Sequence, residues 1–199
     1  MSNNICPCCG KELNFPVYEF ETDLSYTSLY NMTEDFSDLV QMCPYCGFTM
    51  LFEHVITDDI KEYINSDEYT TILHNPNIDE KLKKWLLIAL WSERHGFYAE
   101  AGVEYSKAFD YLKLNNLPLD MSLIEKAASS FLSAFYKNEE FPESILAVDC
   151  MRRNSEMEMA KKLLDSVLDS FGGKLVIQLT DEQFMWIENN DTSKKYIAL

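Results

Sequence analysis

Basic residues are scarce in this 199-residue chain, and arginine nearly absent: there are three arginines in all, and residues 1–60 hold Lys11 alone against ten Asp or Glu. A phosphate backbone is bound by clustered Lys and Arg that displace its counterions, so the composition points away from nucleic acid as a direct partner. With a net charge of -16, any charged protein partner is expected to be basic. Long apolar runs are missing too. No stretch approaches the roughly 20 residues of a membrane helix, and Met-Ser-Asn-Asn at the start has neither the basic region nor the apolar core of a signal peptide. No membrane association and a cytoplasmic location are therefore expected. Histidine is limited to His54, His74 and His95, and no G-x-x-x-x-G-K-[ST], G-x-S-x-G, H-E-x-x-H or G-x-G-x-x-G pattern occurs. The expectation is a protein that is not an enzyme.

Cysteine is what the chain has in an informative pattern. Five of six fall in two clusters, Cys6-Pro7-Cys8-Cys9-Gly10 and Cys43-Pro44-Tyr45-Cys46-Gly47, two copies of C-P-x-C-G. Two cysteines three apart on a tight turn, relaxed by a following glycine, aim both sulfurs at one point. Two such knuckles supply four thiolates to a tetrahedral ion. The expected metal ligands are Cys6, Cys9, Cys43 and Cys46, with zinc as the redox-inert choice and iron the other metal that thiolates select. Cys8 has the wrong spacing for a knuckle and reads as a bystander, and His54 is a substitute ligand in principle. Cys150 stands alone and reads as a small buried residue. The 33 residues between Cys9 and Cys43 exceed the 15 to 20 of a compact ribbon, so an inserted loop or hairpin is expected around 23 to 37.

A different chemistry is open to the second pair. Cys43-Pro44-Tyr45-Cys46 is similar to the active-site tetrapeptide of glutaredoxins. A reactive pair of that kind sits at a helix N-terminus near positive charge, whereas Gly47 and the β-favouring 48–52 follow here in acidic surroundings. A zinc hydrolase is the third option, but it needs an open coordination position that four cysteine ligands leave no room for.

Along the chain the periodicity changes once. Residues 1–60 read as short strands and turns, with alternation at Tyr18, Phe20, Thr22 and Leu24 and a β-rich run over 48–56. Residues 61–77 read as a connector. From 78 to 173 the spacing is helical, with helices expected to open at Asn77/Glu80, near Tyr98, at Ser122/Glu125, at Pro142 and at Ser155/Glu158. Residues 174–199 read as a tail, a short strand over 175–179 and then a helical turn. The predicted class is α+β, mainly α: a small β zinc ribbon followed by an antiparallel α-hairpin array.

Residues 85–113 resemble a tetratricopeptide repeat: Trp85-x-x-Ile88-Ala89 matches its W-x-x-L-G opening and Ala101-x-x-x-Tyr105 its A-x-x-x-F pair, while Ser92 and Lys113 depart from it. Ala89 and Ala101 would let two helices touch, with Trp85 and Tyr105 filling the flanks. Paired knuckles, a long insertion and tetratricopeptide-like helices together resemble a bacterial family known only as an uncharacterised domain of unknown function. That resemblance implies zinc binding and protein docking. The functional expectation is a zinc-binding interaction module, an adaptor or scaffold with a peptide-docking helical surface; the alternative is a thiol-disulfide protein or redox sensor using Cys43 and Cys46.

Overall fold

Apolar residues recurring at helical spacing from residue 80 onward build most of the molecule. The computed structural model describes residues 5–13, 26–32, 40–51, 59–138, 141–171 and 173–197. Among them the elements run α1 (Tyr26–Asn31), β1 (Val40–Met42), β2 (Thr49–Leu51), α2 (Ile60–Ile64), α3 (Asp67–Leu73), α4 (Glu80–Arg94), α5 (Tyr98–Leu114), α6 (Met121–Asn138), α7 (Phe141–Arg153), α8 (Met157–Ser170) and α9 (Lys174–Glu188). The chain is mainly helical, as expected, and its β content is small. β1 and β2 pair antiparallel with Val40 opposite Leu51, and one isolated bridge joins Ile5 to Glu12.

From α4 on, each helix packs against the next. Four of them stop on the same device. The residue past the helix end takes a positive φ, at Gly96 (75°), Asn116 (54°), Ser155 (64°) and Asn190 (51°). The following N–H then reaches back to an orphan carbonyl: Phe97 to Ser92 O at 2.8 Å, and Leu117 to Leu112 O, Glu156 to Met151 O and Asp191 to Trp186 O at 2.9 Å each. Satisfying those carbonyls locally permits the short turns that keep neighbouring helices side by side.

Helix starts differ from expectation in three places. Asp79, not Asn77, caps α4, its Oδ1 accepting from Lys81 N–H at 2.9 Å. Asp120 serves Ser122 at the start of α6, accepting its backbone N–H at 3.1 Å and its hydroxyl at 2.7 Å. Ser155 ends α7 rather than opening α8, which begins at Met157. Two segments also change type. The insertion between the knuckles contains helix α1, and the run 175–179 expected as strand belongs to α9, because Val176, Leu179, Thr180, Gln183 and Ile187 bury one helical face. The connector 61–77 holds α2 and α3. The alternation at 18–24 and the run beyond Leu51 to 56 lie outside the described residues.

Two cores share α4 as a wall. Trp85, Ile88 and Ala89 face the large core built with α5, α6, α7 and α8, whereas Leu87, Leu90 and Trp91 face a second core made by Cys6, Cys8, Leu13, Cys43, Phe48 and residues of α2 and α3. The cysteine unit is thus seated on the helical body rather than tethered to it.

Candidate metal centre

Each half of the site is a turn closed by the same two backbone hydrogen bonds. In the first, Cys6 N–H donates to Lys11 O and Gly10 N–H to Cys6 O; in the second, Cys43 N–H donates to Phe48 O and Gly47 N–H to Cys43 O, all at 2.8 Å. Both turns close through a left-handed glycine, Gly10 at φ +70° and Gly47 at φ +74°, a conformation that a side chain strains. Gly47 has a second reason to lack one, since a Cβ there would lie 2.6 Å from Leu73 Cδ2. The Ile5–Glu12 bridge brackets the first turn and the β1–β2 ladder the second. The sulfur of the last cysteine in each turn receives the N–H two residues on, from Lys11 to Cys9 and from Phe48 to Cys46. The repeated sequence is a repeated structure down to these bonds.

The turns face each other, and the Sγ atoms of Cys6, Cys9, Cys43 and Cys46 all lie within 4.8 Å of one another. Across the turns, Cys6 and Cys46 are 3.6 Å apart and Cys9 and Cys43 3.8 Å. A tetrahedral ion with sulfur bonds of about 2.3 Å needs edges of about 3.8 Å. A disulfide needs about 2.05 Å, so no two of these sulfurs are bonded to each other, and their spacing suits coordination of a single ion. The donor set fits a soft cation such as zinc. Burial pushes the Cys6 thiol up to about 11 and raises that of Cys46 as well, while Cys9, the most exposed of the four, is pulled down to about 7, first by the Lys11 N–H. Ligating sulfurs must lose their protons, so a cation in their midst would offset the cost that burial puts on the charged form.

What holds the knuckles in place is aromatic. Phe48 meets Trp91 edge-on at 5.6 Å, Trp91 meets Tyr63 at 5.3 Å and Tyr63 meets Tyr69 at 5.1 Å. The Tyr69 hydroxyl donates to Gly47 O at 2.8 Å, anchoring the second knuckle to α3. On the outside, the Lys11 ammonium lies 4.3 Å from the centre of the Tyr45 ring and links one knuckle to the other.

Cys8 is buried in the second core and is not one of the four converging sulfurs, and burial raises its pKa. His54 lies outside the described residues. His95 is the C-cap of α4, with Nδ1 2.8 Å from Trp91 O and Nε2 3.1 Å from Asp59 Oδ1, so it fastens α2 to the end of α4.

Sequence reasoning missed a second polar assembly, between α1, α5, α7 and the last residues described. Cys150 is fully buried as expected, yet it stands 3.5 Å from the Tyr30 hydroxyl. Tyr30 donates to Asp149, which also takes Arg152; Arg153 donates to Tyr30 at 3.1 Å, to Ser106 at 3.0 Å and to Asp110, which also takes Lys194. Asp149, Arg152 and Arg153 lie on a helix whose every residue from Glu143 to Arg153 is buried, which the sequence does not announce.

No family model matches the chain, and no curated protein and no solved structure matches it either.

Proposed function

We propose that this protein is a docking module without catalytic activity, in which one structural zinc ion bound by Cys6, Cys9, Cys43 and Cys46 fixes the N-terminal unit against a tetratricopeptide-like helical array. The observation that carries the reading is the meeting of four sulfurs from two equivalent turns at tetrahedral spacing. Zinc in such a site is coordinatively closed and supplies no position for substrate, so its contribution is to folding. The array reading draws support from the packing of each helix on its successor and from the burial of Trp85, Ile88, Ala89, Ala101 and Tyr105, the positions that carry the repeat resemblance. The resemblance to a bacterial family of unknown function belongs to the same proposal.

Against the thiol-disulfide alternative stand two features. Cys43 and Cys46 sit on a knuckle that leads into β2, not at a helix N-terminus, and each has a sulfur of the other knuckle within 4 Å. Alkylation of the native protein separates the readings: the zinc reading expects four sulfurs shielded until a chelator is added, and a reducible disulfide between Cys43 and Cys46 would favour redox chemistry. The docking half is tested by affinity capture with the tagged full chain. A basic protein retained in stoichiometric amount, resistant to nuclease and lost with Cys43→Ser, is the expected outcome. Recovery of nucleic acid alone, or of nothing, counts against it.

A further inference from the structure

Helices α5 and α7 are buried on nearly every side, and part of what covers them is the chain's own C-terminal segment, residues 191–197, which belongs to no helix or strand. Its attachment has the form of peptide recognition. The Asn31 side-chain amide takes the backbone of Ile197 from both sides, Nδ2 donating to Ile197 O at 2.7 Å and Oδ1 accepting Ile197 N–H at 2.9 Å. Arg152 donates to the carbonyls of Asp191 and Ser193. These bonds read backbone and would hold any extended chain. Two side chains add selection: Lys194 pairs with Asp110 while its ammonium lies 4.7 Å from the centre of the Tyr30 ring, and Ile197 is buried in the large core at 2% exposure. Between them Tyr196 points away, 75% exposed.

We propose that the cleft between α1, α5 and α7 is a peptide site that residues 191–197 occupy in place of a partner, and that the partner presents an extended segment with a lysine three residues before an aliphatic residue. The proposal rests on the docking reading and supplies its site and ligand class. The lysine is selected by the second oxygen of Asp110, the first being taken by Arg153, and by the face of the Tyr30 ring. A tethered segment competes at an effective concentration on the order of millimolar, so the intact chain binds such a peptide weakly until its own tail is loosened.

The test is fluorescence anisotropy with a labelled peptide of residues 189–199, added to the full chain and to the full chain carrying Lys194→Ala and Ile197→Ala, which weakens the tail and leaves the cleft intact. Binding at least about 10-fold tighter to the double variant is expected. It should be reduced by Asp110→Asn in the protein or by alanine at the lysine of the peptide. Absence of saturable binding by a double variant that keeps its helical circular dichroism overturns the proposal. So does a tail-exchanged dimer in sedimentation that the peptide fails to disperse. If the double variant does not fold, amide exchange of the unmodified chain decides. Exchange of the Ile197 amide through a local opening, well ahead of α5 and α7, supports a displaceable tail, and exchange only at the global rate overturns it. A negative result here with partner capture intact removes this site alone; loss of capture removes the docking reading itself.

Discussion

The two knuckle glycines carry the same backbone demand but not the same surroundings. Gly10 has open space where a Cβ would go, while the Cβ of an alanine at 47 would meet Leu73 at 2.6 Å. Gly10→Ala is therefore expected to lower stability by about 1 kcal/mol, the cost of a left-handed non-glycine residue. Gly47→Ala should cost a few tenths to about 1 kcal/mol more, because the end of the half-buried Leu73 side chain must also swing aside, with Leu73→Ala recovering the difference in thermal denaturation. Glu104 offers a pH test. Burial pushes its carboxyl up to about 8, so the folded state keeps a proton that the unfolded chain has released. Its contribution is complete below the ordinary carboxylate range and is lost as pH rises through about 8. Glu104→Gln should flatten that decline, gaining on the order of 2 kcal/mol on the unmodified protein between pH 5 and pH 8 in urea titrations. The four cysteines were legible in the sequence because knuckle spacing is local and the motif is doubled. Asp79 as cap and Glu104 as a buried acid were not, since the first competes with an equally suitable Asn77 two residues earlier and the second lies on a helix that tertiary packing covers on all sides.

Helices α4 to α8 could be read almost to their ends, because an apolar stripe of period 3.6 and a turn residue after it are both written in consecutive residues. The run 174–180, Lys-Leu-Val-Ile-Gln-Leu-Thr, could not. Its β-branched residues favour a strand locally, and contact with α7 and α8 makes it the first turns of α9. Close approach of elements is likewise a tertiary property. Gly102 in α5 meets the fully buried ring of Phe131 in α6 so tightly that a Cβ would lie 2.8 Å from it. Alanine gains about 1 kcal/mol of helix propensity over glycine there. Forcing a buried aromatic ring aside costs about 1 to 3 kcal/mol, so Gly102→Ala is expected to lower the urea midpoint. A raised midpoint would mean that α6 has room to move away.

At the scale of the molecule, α4 joins the two cores, and two segments far apart in sequence, α1 and residues 191–197, meet over α5 and α7. Asn31 and Ile197, 166 residues apart, exchange both of their polar groups. No local pattern announces such a contact, which is why the α1, α5, α7 and tail assembly was invisible in the sequence while the cysteine unit was not. That unit is small: three-residue strands, two tight turns and a core shared with α2 to α4. A unit of this size holds its shape through a metal or a cross-link more readily than through apolar burial alone, and its four sulfurs converge within 4.8 Å of one another. Native mass spectrometry of the purified full chain decides the matter most directly. The account predicts a mass higher by one zinc ion per chain, returning to that of the bare polypeptide with a chelator and absent in Cys43→Ser. A bare mass in the untreated protein, or one lighter by the two hydrogens of a disulfide, would contradict it.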